Sequence, residues 1–139
     1  MPPKPGDVYW IEDEGTGVKH IHIVLTHPEP IDGEDKVAVV NVTTVYGTRY
    51  DKTTLLRAGS HPRINHDSYV RYADADFESV AKIEGNPKYA KAVQPLIPKL
   101  FREIFDHAAS GRTTSADVKT YCSRRVGGNP GEIKNLGGK

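Results

Sequence analysis

A single cysteine, Cys122, stands in the 139 residues, which excludes an internal disulfide and a zinc cluster built on cysteines and suits a reducing compartment. Long apolar runs are missing too: none exceeds four residues, and the opening MPPKPGD has no apolar core of a signal sequence. Nothing in the sequence is therefore expected to enter or cross a membrane, and the expected location is cytoplasmic. An excess of one charge is also lacking. Nineteen Lys and Arg against eighteen Asp and Glu give a formal net charge of +1, so the balance alone selects no partner. Residues 110–139 nevertheless carry a net +4 and leave −3 for the rest, a basic end that points weakly to an anionic partner. There are no internal repeats. The length and an apolar content of 37% fit one domain with a modest core, spanning residues 1–126.

What is present reads first as β. In DVYWIE, Val8, Trp10 and Ile11 are the apolar members of a first strand, closed by the turn-rich DEGTG. In KHIHIVLT, Ile21, Ile23 and Leu25 recur at period two, with His20, His22 and Val24 on the opposite face. HPEPIDGED reads as a loop because of its two prolines and Asp-Gly. KVAVVNVTT is apolar on both faces until Asn41 and belongs at the centre of a sheet. TRYDKTTLLRAG, DSYVRY and FESVAKIE supply the remaining short strands, the pattern of a small barrel or sandwich over residues 5–85.

The period then changes. Val93, Leu96, Ile97, Leu100, Phe101, Ile104, Phe105 and Ala108 recur at three and four, so residues 88–125 read as a helical part packed on the barrel. Its main helix should begin near Pro95 or Pro98 and end at Gly111. A second helix, SADVKTYCSRR, has Thr114 or Ser115 as its cap. Five glycines in 127–139 make a flexible tail. The expected core includes Val8, Trp10, Ile21, Ile23, Leu25, Val37, Val39, Val42, Leu100, Ile104 and Phe105.

His20 and His22, two apart on one strand, point the same way, and three readings are open for them. A metal site of the cupin kind would add Glu29 and His61 or His66, although the spacing is loose. Acid–base chemistry on RNA needs a base for the 2′-hydroxyl, an acid for the 5′-oxygen and a cation on the phosphate. The sequence holds stock for all three in His20, His22, His61, His66, Arg49, Arg63, Arg71, Thr43 and Thr44. The plain alternative is a pair of solvated side chains on the wet face of a strand.

The order of GDVYWIE, a glycine-rich turn, IVLT, VNVTT and a later LLRAGSHPRINHDSYVRY resembles the PemK/MazF toxin family over roughly residues 5–83. Gly6, Asp7 and Trp10 match the family's opening, Thr26 the end of its second strand, and Thr43 and Thr44 its threonine pair. The resemblance implies an SH3-like antiparallel barrel, a homodimer, and a ribonuclease without metal or cofactor that a small antitoxin protein neutralises. The family's arginine falls on His20, with Ile21 and His22 where Pro and Ala usually follow. A subgroup with histidine chemistry would need Arg63 or Arg49 as its cation.

The reading as a whole is an α+β domain, an SH3-like barrel followed by C-terminal helices. It acts on single-stranded RNA with His20, His22 and Thr43 as catalytic residues and Thr44, Arg49, His61, Arg63 and His66 as substrate-binding residues. The alternative of another class is a non-catalytic protein- or nucleic-acid-binding module, in which Tyr9, Tyr46, Tyr50, Tyr69 and Tyr72 form an aromatic surface.

Overall fold

The computed structural model describes residues 2–12 and 15–125; the tail read at 127–139 lies outside the described residues. Seven strands run in the order β1 (Val8–Glu12), β2 (Lys19–Val24), β3 (Glu29–Ile31), β4 (Glu34–Thr44), β5 (Leu55–Leu56), β6 (Ser68–Ser79) and β7 (Ala90–Val93). Helix α1 (Val80–Gly85) lies between β6 and β7, and α2 (Pro98–Ser110) and α3 (Ala116–Ser123) follow. All pairings are antiparallel, in spatial order β5-β6-β4-β2-β1-β7 with β3 beside β4, and the sheet curls into a half-barrel. The fold is α+β, and no helix among the described residues is long and apolar enough to cross a membrane.

Alternation gives the sheet two apolar faces. Ile21, Ile23 and Leu25 from β2 and the segment after it meet Ala38, Val40 and Val42 from β4 and Val70 and Tyr72 from β6. Helix α2 closes this core with Phe101, Ile104, Phe105 and Ala108, and α3 adds Val118 and Cys122. Burial pushes the Cys122 thiol up to about 12, so it packs as a neutral group. Of the expected core, Trp10 and Leu100 are half-buried against its edge. Val37 and Val39 belong to a second cluster on the opposite face, with Tyr9, Ile11, Val24, and Val80 and Ile83 of α1.

Several elements differ from the sequence reading. HPEPIDGED is a hairpin: Asp32 and Gly33 sit at φ of 53° and 83°, the two left-handed positions of a tight turn, and β3 is an edge strand where Pro30 is tolerated. FESVAKIE is half strand and half helix. Ser79 caps α1 by accepting the Lys82 N–H at 3.2 Å, and Val80 and Ile83 then fall on one helical face. Residues 90–93, inside the stretch read as helical, form β7 because the free edge of β1 offers a ladder to them. Helix α2 begins at Pro98, whose missing N–H costs nothing at a first helical position. It ends at Gly111, where a Cβ would lie 2.5 Å from the His107 carbonyl oxygen.

The helices are tied to the sheet by polar contacts at points where the sheet is irregular. Between Asn41 and Val39 the partners on β6 jump from Arg71 to Asp76, leaving Tyr72–Ala75 bulged out of register. Ser115 satisfies the carbonyls so freed: its N–H donates to Tyr72 at 3.2 Å and its hydroxyl to Ala75 at 2.7 Å. The far end of α3 is held by Glu29, which accepts from the Tyr121 hydroxyl at 2.7 Å and from the Arg125 guanidinium. That guanidinium also stacks 3.4 Å above the Tyr121 ring centre.

Burial alone would raise the Glu29 carboxyl, but hydrogen bonds from Tyr121 and Arg125 and the charges of Arg125 and His27 outweigh it and hold the group below the usual glutamate range. A depressed carboxylate contributes stability that is present above its ordinary value of 4.5 and is lost as the pH falls through the folded value. Thermal unfolding followed from about pH 6 down to about pH 3 should therefore show the gap between wild type and Glu29→Gln closing as acid is added. A gap that stays constant would remove this carboxylate from the anchoring of α3.

Candidate functional site

Beyond α1, the second face of the sheet turns polar. Along β4 the residues on this side run Val37, Val39, Asn41, Thr43, so two apolar positions are followed by two polar ones. On β2, His22 lies directly opposite Asn41, and His20 lies on the same side two residues earlier. On β6, Arg71 pairs with Asn41 and Tyr69 with Thr43. The imidazoles, the carboxamide, the hydroxyl and the guanidinium thus share one patch across three adjacent strands. The Asn41 Oδ1 and Thr43 Oγ1 atoms are buried in it with no hydrogen-bond partner.

The segment between β5 and β6 brings the second group of side chains, and His61 organises it. Its ring is buried at 4% exposure; Nδ1 accepts the Arg63 N–H at 3.0 Å, so Nε2 carries the proton and donates it to the Gln94 carbonyl just before α2. The turn closes through Ile64 N–H to the His61 carbonyl at 2.9 Å, and the Ile64 side chain plugs the main core. With Ile64 turned inward, Arg63, Asn65 and His66 are left exposed. The Asp67 carboxylate holds the other side of the loop by accepting the Ala58 N–H at 3.0 Å.

Arg63 and His66 line, together with His20, Thr43 and Thr44, a cleft of about 340 Å³. Trp10, Ile21, Val42 and Ile64 give it an apolar side, and Lys19 adds a further cation. Among the described residues no carboxylate lines it. A second cleft, of about 510 Å³, opens on the other side of His20 and is bordered by His22, Asn41, Arg71 and the carboxylates Glu12, Asp74 and Glu78. Arg71 there pairs with Asp74 at 3.1 Å. The two clefts differ in charge, and His20 is the side chain that borders both.

Five of the eight expected site residues therefore meet at the first cleft: His20, Thr43, Thr44, Arg63 and His66. His22 does not. Its Nδ1 donates to the His20 carbonyl at 3.1 Å and its ring borders the second cleft. His61 does not reach in either, since both its ring nitrogens are used to hold the loop. Arg49 lies at another surface, beside Tyr50, Tyr69 and Thr113. Sequence reasoning did not include Trp10, Lys19 and Tyr46 in the site, and it used Asn41 only to mark where the apolar run of β4 stops. That break in the run was the available signal.

The other two readings can be placed in the same way. Glu29, the carboxylate of the metal reading, is turned to Tyr121 and Arg125, and among the described residues no three His, Cys, Asp or Glu side chains are grouped to hold an ion. Of the five tyrosines of the aromatic-surface reading, Tyr9 and Tyr72 are buried. Tyr50 and Tyr69 are half-buried with ring centres 5.3 Å apart, and Tyr46 is exposed. No protein-family model matches the chain, and no curated protein does.

Removing the buried His61 ring takes away two part-buried hydrogen bonds, from the Arg63 N–H and to the Gln94 carbonyl, a loss on the order of 1–3 kcal/mol for the pair. His61→Ala should lower thermal stability on that scale and speed amide hydrogen exchange at Arg63 and Ile64. Unchanged exchange there would mean that the loop is held by its other contacts.

Proposed function

We propose that the chain is an endoribonuclease of the PemK/MazF kind, built on an SH3-like barrel, that cuts single-stranded RNA without a metal. The observation that carries this reading is the convergence of His20, Thr43, Thr44, Arg63 and His66, from three separate segments, on one cleft that no carboxylate among the described residues lines. Such a lining favours an anion, and imidazole is a side chain suited to general acid–base work. The family resemblance adds a homodimer and a small antitoxin as partner, consistent with the exposed, cationic mouth of the cleft.

The reaction needs only these groups. One imidazole takes the proton of the 2′-hydroxyl, and O2′ forms a bond to phosphorus. The P–O5′ bond breaks, and O5′ leaves with a proton from the second imidazole, giving a 2′,3′-cyclic phosphate and a 5′-hydroxyl. Arg63 supplies the fixed positive charge for the phosphate, and Thr43, whose hydroxyl oxygen is buried without a hydrogen-bond partner, forms part of the cleft wall. His20 replaces the family's arginine as a proton carrier, and His22 acts on it indirectly through the backbone carbonyl.

RNA digestion should tolerate EDTA and follow a bell-shaped pH profile. His20→Ala and His66→Ala should each lower the rate by roughly 10² or more, the usual scale for a lost acid–base group. His22→Ala should cost much less than His20→Ala. Full activity in the His20→Ala/His66→Ala double variant would remove histidine from the mechanism. Tight RNA binding with no cleavage and no growth arrest on expression would leave a binding module instead.

A further inference from the structure

The mouth of the first cleft has a feature that proton transfer does not require. Among the described residues four large apolar side chains are markedly exposed, and two of them, Tyr46 at 79% and Val18 at 51%, border this cleft. Behind them the half-buried Trp10 ring continues the apolar surface inward. Arg63 and His66 line the same cleft. Such a mouth suits a ligand that is anionic and carries a flat ring.

We infer that this cleft takes one unstacked nucleotide of a single strand, with the base against Tyr46 and Trp10 and the phosphate against Arg63. The identity of the strand as nucleic acid rests on the ribonuclease reading; the stacking geometry rests on the exposed Tyr46 ring and on the cations Lys19 and Arg63 that line the same cleft. A base inside a duplex has both faces covered by its neighbours and cannot offer one to Tyr46. The cleft, at about 340 Å³, is of small-ligand size. Selection for single strands would then come from the shape of the site, and base preference from what the ring stacks on.

Trp10 is the only tryptophan in the chain, so its emission reports on this cleft alone. The full-length protein is titrated with a single-stranded 2′-O-methyl oligonucleotide carrying a terminal fluorophore, which cannot be cut by the 2′-hydroxyl route. Trp10 emission reads stacking and anisotropy reads total binding, while cleavage of ordinary RNA is followed separately. Single strand should quench Trp10, the matching duplex and an abasic phosphodiester should not, and Tyr46→Ala should weaken single-strand binding about tenfold, the scale of one lost stacked base. Since Tyr46 is so exposed, the variant should melt like wild type.

RNA that is cut normally by Tyr46→Ala, with unchanged affinity, overturns the stacking site and leaves the nuclease standing. Quenching that depends on Tyr46 in a protein that never cuts RNA upholds the stacking site and removes the nuclease. Equal binding of duplex, or of an acidic peptide with the same dependence on Tyr46, overturns the inference.

Discussion

The two-sided use of β4 is the constraint on which the rest of this structure depends. One face of the strand, Ala38, Val40 and Val42, is committed to the main core along its length. The other changes character halfway, from Val37 and Val39 under α1 to Asn41 and Thr43 beyond it. Because side chains alternate strictly along a strand, a slip of one residue would bury the polar pair and expose the valines. The registers with β2 and β6 are thereby fixed, and so is the placing of His20, His22, Tyr69 and Arg71 around Asn41 and Thr43. The polar patch forms where α1 stops covering the sheet.

Irregularities in the sheet are what join the helices to it. The bulge in β6 frees backbone carbonyls that would be costly if left unpaired, and Ser115 meets two of them from the start of α3. Where β2 passes toward β3, the Thr26 hydroxyl accepts the Ala38 N–H at 3.0 Å in place of a backbone acceptor, and the chain turns without losing the bond. Thr26 is fully buried, so the position that matches the family's second-strand ending is used here for the bend. In each case a short hydroxyl side chain does what a regular ladder would otherwise do.

Legibility in the sequence followed how local the cause was. The strands β2 and β4 and the helix from Pro98 to Gly111 were readable because periodicity, a proline and a glycine act within a few residues of themselves. The β3 hairpin carried its own Asp-Gly signal, which the flanking prolines outweighed until the strand is seen at an edge, where a proline's missing N–H is harmless. β7 has almost no signal of its own, since Ala-Lys-Ala-Val pairs only because β1 has a free edge. α1 was hidden because a strand, a serine cap and one helical turn follow each other without a break. For the site, the threonine pair and the basic loop were legible as chemistry. Which histidine faces which cleft was not, because it depends on strand direction for His22 and on a contact 33 residues away, at Gln94, for His61.

His61 shows how one buried side chain can fix a loop whose other polar residues stay exposed. A loop bearing Arg63 and His66 in solution would sample many geometries, and holding a cation near a phosphate requires that this entropy be removed beforehand. The buried ring does so by joining the loop's own backbone to the segment that leads into α2, while Ile64 anchors the same turn from inside the core. Beside this preorganised rim Thr43 Oγ1 is buried without a hydrogen-bond partner, and Asn41 Oδ1 is in the same state further along β4, at the second cleft. Local violations of this kind gather at functional sites, where a ligand supplies the missing hydrogen bond. Fixing the loop in advance leaves the exposed Arg63 and His66 in one geometry relative to Thr43, which a freely moving loop would not do.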